Sequence, residues 1–302
     1  MSSKERCTSV DGLGLPEIRF KEAIEASLGP IDFQPVADGL IHRFHVPGDK
    51  HGSKAGWYVL FGDGIASGAF GSWKIGGSQV WTGCQQINYQ ESENIRLRIE
   101  QARQERIIAQ QQHQQAAAAC AQRLMSKARL PDTDYPYLIS KGIKPYNIRQ
   151  LGNQLLVPLY KSGSLINLQR IYPDGNKRFL RGGIVSGACA YLGIISPSKE
   201  IYLCEGWATG ATLHEHTGAA VVCAMNANNL LKVGYELQRQ HPDAILIVAG
   251  DDDRLTLGNP GRTAANHAAA TLGCGLVFPT WSGDEPPELS DFNDLANWRA
   301  AQ

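Results

Sequence analysis

From residue 200 onward, short apolar segments alternate with segments of helical spacing, and this alternation restricts the fold more than any other feature of the chain. The segments are, in order, Ile201–Cys204, Trp207–His216, Ala220–Ala224, Asn229–Gln240, Ala244–Ala249, Asn259–Leu272 and Gly275–Phe278. Apolar strands separated by helices of about 10 to 15 residues are typical of a parallel sheet covered on both faces. The sequence therefore predicts an α/β fold here.

Acidic residues follow three of the predicted strands. Glu205 comes after the first, a run of three aspartates, 251–253, comes after Ala244–Ala249, and Asp291 with Asp294 comes after the last. In an open parallel sheet, functional groups collect at the carboxyl ends of the strands. Because successive side chains of an extended segment point to opposite sides, Asp251 and Asp253 should lie on one side and Asp252 on the other. We therefore expect an Asp-x-Asp pair that faces Glu205.

Adjacent carboxylates repel one another, so such a cluster needs a compensating cation. Oxygen ligands without His or Cys favour Mg²⁺ or Mn²⁺ over zinc. Two such ions would activate a 3′-hydroxyl and stabilise the charge that develops on a phosphate and its leaving group. The structural alternative is that Glu205 caps the next helix and the aspartates form a solvated turn. Three acidic sets at successive strand ends favour the metal site.

These acidic motifs resemble those of the Toprim domain, which bacterial-type primases, topoisomerases and some nucleases share. The motifs are Glu205-Gly206 after a strand, Asp251-x-Asp253, and Asp291-x-Asn-Asp294. The resemblance extends upstream in the primase branch. Tyr137–Ile143 is similar to a segment that precedes the primase core, and Leu156–Leu159 and Lys177–Leu180 are similar to its basic amino-terminal half. The resemblance to primases covers about residues 130 to 298 and is closest to primases of plasmids, phages and integrative elements.

The resemblance implies a Toprim Rossmann-like parallel sheet preceded by a basic α+β subdomain, and a role for each matching residue. Glu205, Asp251 and Asp253 would be catalytic, and would bind two Mg²⁺ or Mn²⁺ ions together with Asp291, Asn293 and Asp294. Five basic residues would contact template and nucleoside triphosphate: Lys141, Arg170, Lys177, Arg178 and Arg181. For Lys177 or Arg178, a solvated hairpin tip is the competing interpretation.

The chain departs from the primase pattern in three places. Arg254–Pro260 lengthens the loop before Gly261, although Asn259 and Pro260 still make a good helix start. Thr209 stands where the family often has an acid. No CxxC zinc module precedes the core, so no zinc is expected.

The part before residue 131 has a different composition. Residues 1–88 predict a small Trp-rich α+β module, and residues 89–130 a long connecting helix without Pro or Gly from 91 to 129. The boundaries that follow are 131–199 for the basic subdomain and 200–302 for the Toprim domain. Trp57, Trp73 and Trp81 are candidates for stacking on single-stranded DNA. A module this small also needs a core, so we expect at least two of the three to be buried.

Composition adds bounds on function. Lys+Arg and Asp+Glu are both 29, but eight basic residues and one acid occupy 141–181, whereas thirteen acids and five bases follow from residue 200. A basic segment beside an acidic one suits a protein that binds a polyanion with one part and metal cations with another. The alternative interpretation is that the two segments form oppositely charged surfaces that dock on each other. Seven scattered cysteines predict free thiols. No apolar run is long enough for a membrane span, and the amino terminus lacks signal-peptide order, so a cytoplasmic protein is expected.

Three functions are therefore in competition. The favoured one is a DNA primase, a nucleotidyltransferase that makes short RNA primers on single-stranded DNA, with a replicative helicase as a further candidate partner. A Toprim nuclease would use the same acids with water as nucleophile. A nucleic-acid-binding protein with an inactive Toprim site is the third.

Overall fold

A computed structural model describes residues 15–50, 52–63, 65–74, 76–83 and 89–302. Cys7, Gly64 and Cys84 lie outside these residues. The chain divides into two compact units, with the boundary between Gln110 and Gln111. None of the helices in the described ranges combines the length and apolar composition that crossing a bilayer requires.

The first unit contains a four-stranded antiparallel sheet with a helix, α1 (Pro16–Leu28), on one face. Its strands, adjacent in chain order, are β1 His42–Phe44, β2 Gly56–Phe61, β3 Ser67–Ser72 and β4 Ser78–Thr82. Phe20 and Ile24, one helical turn apart, are fully buried. The ring of Phe20 meets the rings of Tyr58 and Phe70 edge-on, at centroid distances of 5.9 and 5.7 Å. This aromatic cluster is the core of the predicted small module.

Helix α2 spans Tyr89–Lys127, close to the predicted 91–129. In the first unit, Ile99 packs on the other face of the sheet. In the second unit, Ala117 and Ala121 are buried against apolar residues of another sheet. The expectation of a helix that only connects was therefore incomplete, because small and apolar side chains at helical spacing make α2 part of the core of each unit.

After the end of α2, the second unit continues with α3 (Pro136–Lys141) and a second antiparallel sheet. Its strands, again adjacent in chain order, are β5 Arg149–Leu151, β6 Gln154–Lys161, β7 Ser164–Ile171 and β8 Lys177–Phe179. Between β6 and β7, Ser162 and Gly163 have φ angles of 48° and 76°. Two positive φ angles match the backbone twist of the flanking strands in a tight hairpin turn.

The mainly parallel sheet predicted after residue 200 is present in the same unit. Its strands, in spatial order, are β13 Gly275–Val277, β12 Ile245–Ala249, β10 Glu200–Cys204, β11 Ala220–Cys223 and β9 Ala190–Leu192. The first four are parallel, and β9 pairs antiparallel with β11. The edge strand β9 was not predicted, and it lies before the expected boundary at residue 200.

Helices cover both faces of this sheet, as expected. In chain order they are α4 Trp207–Thr217, α5 Leu230–Gln240, α6 Pro260–Leu272 and α7 Phe292–Ala300. One apolar cluster joins α4 to the sheet and also includes Leu155, Val157 and Ile171 of the antiparallel sheet. A second cluster joins α5 and α6 to the opposite face. The two sheets of this unit therefore share a core, which brings β8 and α3 near the carboxyl ends of the parallel strands.

Candidate active site

Glu205 follows β10 directly, at the carboxyl end of the parallel sheet. Its backbone carbonyl accepts a hydrogen bond from Met225 N at 2.7 Å, which fixes the chain as it leaves the strand. Gly206, not Glu205, is the N-cap residue of α4, so the capping alternative does not hold. Burial, followed by repulsion from Asp253 and Asp291, raises the pKa of Glu205 to about 7. The Glu205 carboxyl therefore belongs to a cluster of acids.

Asp251 and Asp253 follow β12 after a single glycine. Burial, followed by repulsion from Glu205 and Asp291, raises the pKa of Asp251 to about 9. Asp253 Oδ2 accepts a hydrogen bond at 2.8 Å from the backbone N–H of Gly261, in the first turn of α6. The two aspartates thus lie within the electrostatic reach of Glu205.

Asp252 points away from this cluster and holds the neighbouring loop together. The Arg262 guanidinium donates to it at 2.8 and 2.9 Å, and Trp281 Nε1 donates at 2.9 Å. Asn259 also donates to Asp252 and caps α6 by accepting from Arg262 N. The hydrogen bonds from Arg262 outweigh burial and lower the pKa of Asp252. The lengthened loop before α6 is therefore anchored, and the helix start predicted from Asn259 and Pro260 is confirmed.

Asp291 is held by hydrogen bonds to both of its carboxylate oxygens. It is the N-cap of α7, where Oδ1 accepts from Asp294 N at 2.8 Å. Oδ2 accepts from the hydroxyl of Thr209 at 3.0 Å. Thr209, which departs from the family pattern in sequence, is buried in the first turn of α4. Sequence reasoning did not identify it as a site residue, because only the fold brings positions 209 and 291 together.

Asn293 does not join the acids. Its side chain is 1% exposed, and Nδ2 donates to the Lys141 carbonyl at 2.7 Å and to Thr212 Oγ1 at 2.9 Å. Its Oδ1 accepts from Asn297 Nδ2 at 3.3 Å. The expectation that Asn293 ligates a metal needs correction, since both ends of its amide already bond inside the protein. Its observed role is to hold the end of α3 on α7.

Two lysines lie beside the acids. Lys141 Nζ lies 3.2 Å from Asp294 Oδ1. Burial opposes the charge on Lys141, but Asp294 and Asp291 outweigh it, so the pKa of Lys141 is raised. Lys177 is exposed as a whole residue, yet desolvation and then Lys141 lower its pKa, against the opposing pull of Asp291. Lys177 Nζ also lies 5.5 Å from the ring centre of Tyr137. The structure therefore brings two of the five predicted basic residues to the acids.

The other predicted basic residues lie elsewhere. Arg178 is the cross-strand partner of Arg170, whereas Lys177 is the partner of the fully buried Ile171. Because neighbouring strand residues point to opposite faces, Arg170 and Arg178 lie on the sheet face away from Lys177. Arg178 lines a separate cavity of about 420 Å³. Arg181 lies beyond the end of β8 and is exposed. The structure therefore separates Arg170, Arg178 and Arg181 from Lys141 and Lys177, and contact of the three arginines with template or nucleotide stays a prediction.

The three tryptophans also separate. Trp57 is 7% exposed and packs in the core of the first unit, and Trp81 packs edge-on against Phe20 at a centroid distance of 5.3 Å. Trp73 is 51% exposed. Trp57 is thus a core residue, Trp81 is partly buried against the core, and the three do not form a shared stacking surface.

The acidic cluster fits divalent cations by its chemistry. Glu205 Oε1 and Asp251 Oδ1 are buried without a hydrogen-bond partner. A buried, unpartnered carboxylate oxygen costs about 1–3 kcal/mol, and ligation would remove that cost. Among the residues that the structure describes, no three acidic, His or Cys side chains are already arranged to hold one ion. The shared metal site therefore stays a prediction, supported by the unpartnered oxygens and by the mutual repulsion of the acids.

Comparisons with known proteins agree with the sequence motifs. Residues 200–301 match a family model described as Toprim domain. The chain is 33% identical over 295 residues, 91% of its length, to the DNA primase TraC of Escherichia coli, and a second DNA primase TraC of that organism is 31% identical over 83% of the chain. The chain spans only 28% and 18% of the lengths of these relatives.

Among solved structures, a DnaG primase catalytic domain bound to ssDNA is 18% identical. It matches over 50% of this chain and 52% of that one, with a TM-score of 0.32.

Proposed function

We propose that this chain, whose residues 200–301 are a Toprim domain, carries the catalytic site of a DNA primase. It would join ribonucleotides into short primers on a single-stranded DNA template, which makes it a nucleotidyltransferase. The observation that carries the proposal is the pair of buried carboxylate oxygens without a hydrogen-bond partner, Glu205 Oε1 and Asp251 Oδ1, with Lys177 and Lys141 beside them. Acids alone would suit many metal sites, but acids next to cations suit a substrate that is itself a polyanion.

Glu205, Asp251 and Asp253 would hold divalent cations, Mg²⁺ or Mn²⁺, with Asp291 and Asp294 nearby. Two bound ions would supply charge neutralisation at the reacting phosphate and favour ionisation of the attacking 3′-hydroxyl. The donor set consists only of carboxylate oxygens, which suits these hard ions.

The protein's own groups would bind and orient the reactants. Lys177 would contact the triphosphate, because its ammonium lies within electrostatic reach of Asp291 and Asp251, and because burial, followed by repulsion from Lys141, lowers its pKa, so that a bound anion would stabilise its charge. Lys141 forms an ion pair with Asp294 and would keep a second positive charge beside the acids. Glu205 Oε1 has no donor of its own, so it would accept the proton that leaves the 3′-hydroxyl.

Primer synthesis from single-stranded DNA, labelled ribonucleoside triphosphates and Mg²⁺ tests the proposal. Wild-type protein should give short oligonucleotides, and Glu205→Gln and Asp251→Asn should give none above background. Asp284→Asn is the matched control, since Asp284 is an exposed acid of the same domain. Cleavage of DNA without nucleoside triphosphates would instead favour a Toprim nuclease. Binding of DNA with neither synthesis nor cleavage, unchanged in Asp253→Asn, would favour a non-catalytic protein.

A further inference from the structure

The first unit contains a cavity of about 460 Å³ that the proposed function does not use. Arg43 of β1 lines it together with Arg103 and Arg106 of α2. Trp57 and Trp73 form an aromatic side, with ring centroids 5.8 Å apart. None of the described residues that line this cavity is acidic. We call it the Trp73 cavity.

Two of these arginines converge on one ring. The guanidinium carbons of Arg43 and Arg106 lie 5.9 and 5.6 Å from the centre of the Trp73 ring. Burial, followed by repulsion from Arg43, lowers the pKa of Arg106. Like charges this close destabilise the unit unless an anion lies between them. The ring face alone provides only part of the compensation, about 0.5–1 kcal/mol at an exposed site.

The three arginines differ in whether their guanidinium groups have a partner within the protein. Arg43 donates through Nε and Nη2 to the Lys54 carbonyl, which fixes its guanidinium. Arg103 lies 3.9 Å from Glu100 on the exposed face of α2. Arg106 Nη1, in contrast, is buried without a hydrogen-bond partner. The Trp73 cavity therefore presents a positioned, unsatisfied donor together with a partly open indole face.

We propose that the Trp73 cavity binds one nucleotide of a single-stranded nucleic acid. The phosphate would pair with Arg106 and Arg43, because a guanidinium matches the geometry of phosphate oxygens. The base would stack on Trp73, whose ring is half exposed. A simple inorganic anion would satisfy the arginines but would leave the indole uncovered. The cavity volume lies within the range of about 300–1,000 Å³ that is common for small-ligand sites.

This inference goes beyond the proposed function and does not depend on it. The cavity lies in the unit that ends at Gln110, outside the Toprim domain, so it would bind nucleic acid whether or not the acids catalyse synthesis. Of the three candidate tryptophans, only Trp73 is proposed to stack on a base, because Trp57 is a core residue and Trp81 is partly buried against Phe20.

Fluorescence anisotropy of the full-length chain with a labelled oligodeoxythymidylate, in EDTA to remove divalent cations, tests the proposal. Arg106→Ala and Trp73→Ala should each weaken binding by about tenfold, and Trp73→Phe should keep most of the affinity because a ring remains to stack on the base. Arg106→Ala should also reduce the slope of log K against log salt by about 0.7, the value for one phosphate contact on a single strand. Arg96→Ala is the matched control: Arg96 is an exposed arginine of the same helix outside the cavity, and its loss should change affinity by less than about twofold.

A second measurement locates the contact. Photocrosslinking with an iodouridine oligonucleotide should attach the strand at Trp73, and Asp251→Asn should leave this crosslink intact even though it should abolish primer synthesis. Excess free dTMP is added as a competitor for the crosslink. If the crosslink persists, the ligand is a nucleotide within a strand; if dTMP abolishes it, a free nucleotide is sufficient for binding. Thermal unfolding of each variant separates loss of binding from loss of fold. If Arg106→Ala and Trp73→Ala bind as Arg96→Ala does, and Trp73 does not crosslink, the proposal is overturned.

Discussion

The hydroxyl of Thr209 donates a hydrogen bond to Asp291 Oδ2 at 3.0 Å, between the first turn of α4 and the start of α7. An acid at position 209 would add another negative charge to a cluster in which burial, followed by neighbouring carboxylates, already raises the pKa of Glu205 and of Asp251. A threonine instead orients Asp291 without adding charge. The departure from the family pattern at this position therefore has a physical reason in this chain.

Replacing Thr209 tests this orienting role. Thr209→Val keeps the shape of the side chain and removes the donor, so primer synthesis should fall by about tenfold, as for other groups that orient metal ligands. Thr209→Ser keeps the donor and should restore most of the activity. The Mg²⁺ concentration for half-maximal rate should rise in Thr209→Val, which a purely structural effect on folding would not produce. Equal rates and equal Mg²⁺ dependence in wild type and Thr209→Val would contradict the role.

Adjacent residues of β8 should differ in their effect on catalysis. Lys177→Ala should lower kcat/KM for nucleoside triphosphates by at least about tenfold, since a charge-assisted hydrogen bond to phosphate contributes about 1.5–3 kcal/mol. Arg178→Ala removes the same charge from the opposite face of the sheet and should change kcat/KM by less than about threefold. Steady-state kinetics with saturating template measures both. A larger loss in Arg178→Ala than in Lys177→Ala would show that the basic side of the site lies on the other face.

The acidic cluster should make stability fall with rising pH in EDTA. The pKa values of Glu205 and Asp251, about 7 and about 9, exceed those of the unfolded chain, so the folded state binds more protons than the unfolded state between about pH 4 and about pH 9. The free energy of unfolding should therefore decrease across that range. Asp251→Asn should flatten the decrease, because an amide does not ionise, whereas Asp284→Asn should not. Thermal unfolding from about pH 5 to about pH 9 measures how the free energy of unfolding depends on pH. The same dependence on pH in wild type and Asp251→Asn would contradict this prediction.

The Arg262–Asp252 pair should stabilise the loop beside the site. Arg262→Ala removes two hydrogen bonds to a buried carboxylate and should lower the free energy of unfolding by about 2–3 kcal/mol, as for hydrogen bonds to charged groups. Arg262→Lys keeps the charge but not the paired geometry, so its effect should be intermediate. Urea denaturation at neutral pH measures the change. A loss below about 0.5 kcal/mol in Arg262→Ala would mean that the pair acts like an exposed ion pair.

The sequence was informative wherever local pattern determines structure. Apolar strands such as Ile245–Ala249 alternate with helices, and the alternation of side chains along an extended segment put Asp252 opposite its neighbours. The cap of α6 was readable because Asn259 and Pro260 act within one turn of the chain.

The features that were missed depend on contacts between distant segments. Thr209 and Asp291 are 82 residues apart, and Arg43 and Arg106 converge on Trp73 from β1 and α2. The short edge strand Ala190–Leu192 has no periodic pattern to reveal it, because its pairing with β11 alone defines it. The resemblance matched Arg178 together with Lys177, but a motif match does not tell which face of β8 each residue occupies.

The most direct test of the account is calorimetric titration of the full-length chain with Mn²⁺. Wild-type protein should bind Mn²⁺, and Glu205→Gln and Asp251→Asn should each weaken the binding by about 10–100-fold, while Asp284→Asn should not. The same Mn²⁺ affinity in all four proteins would contradict the claim that carboxylates from separate strands hold the catalytic ions.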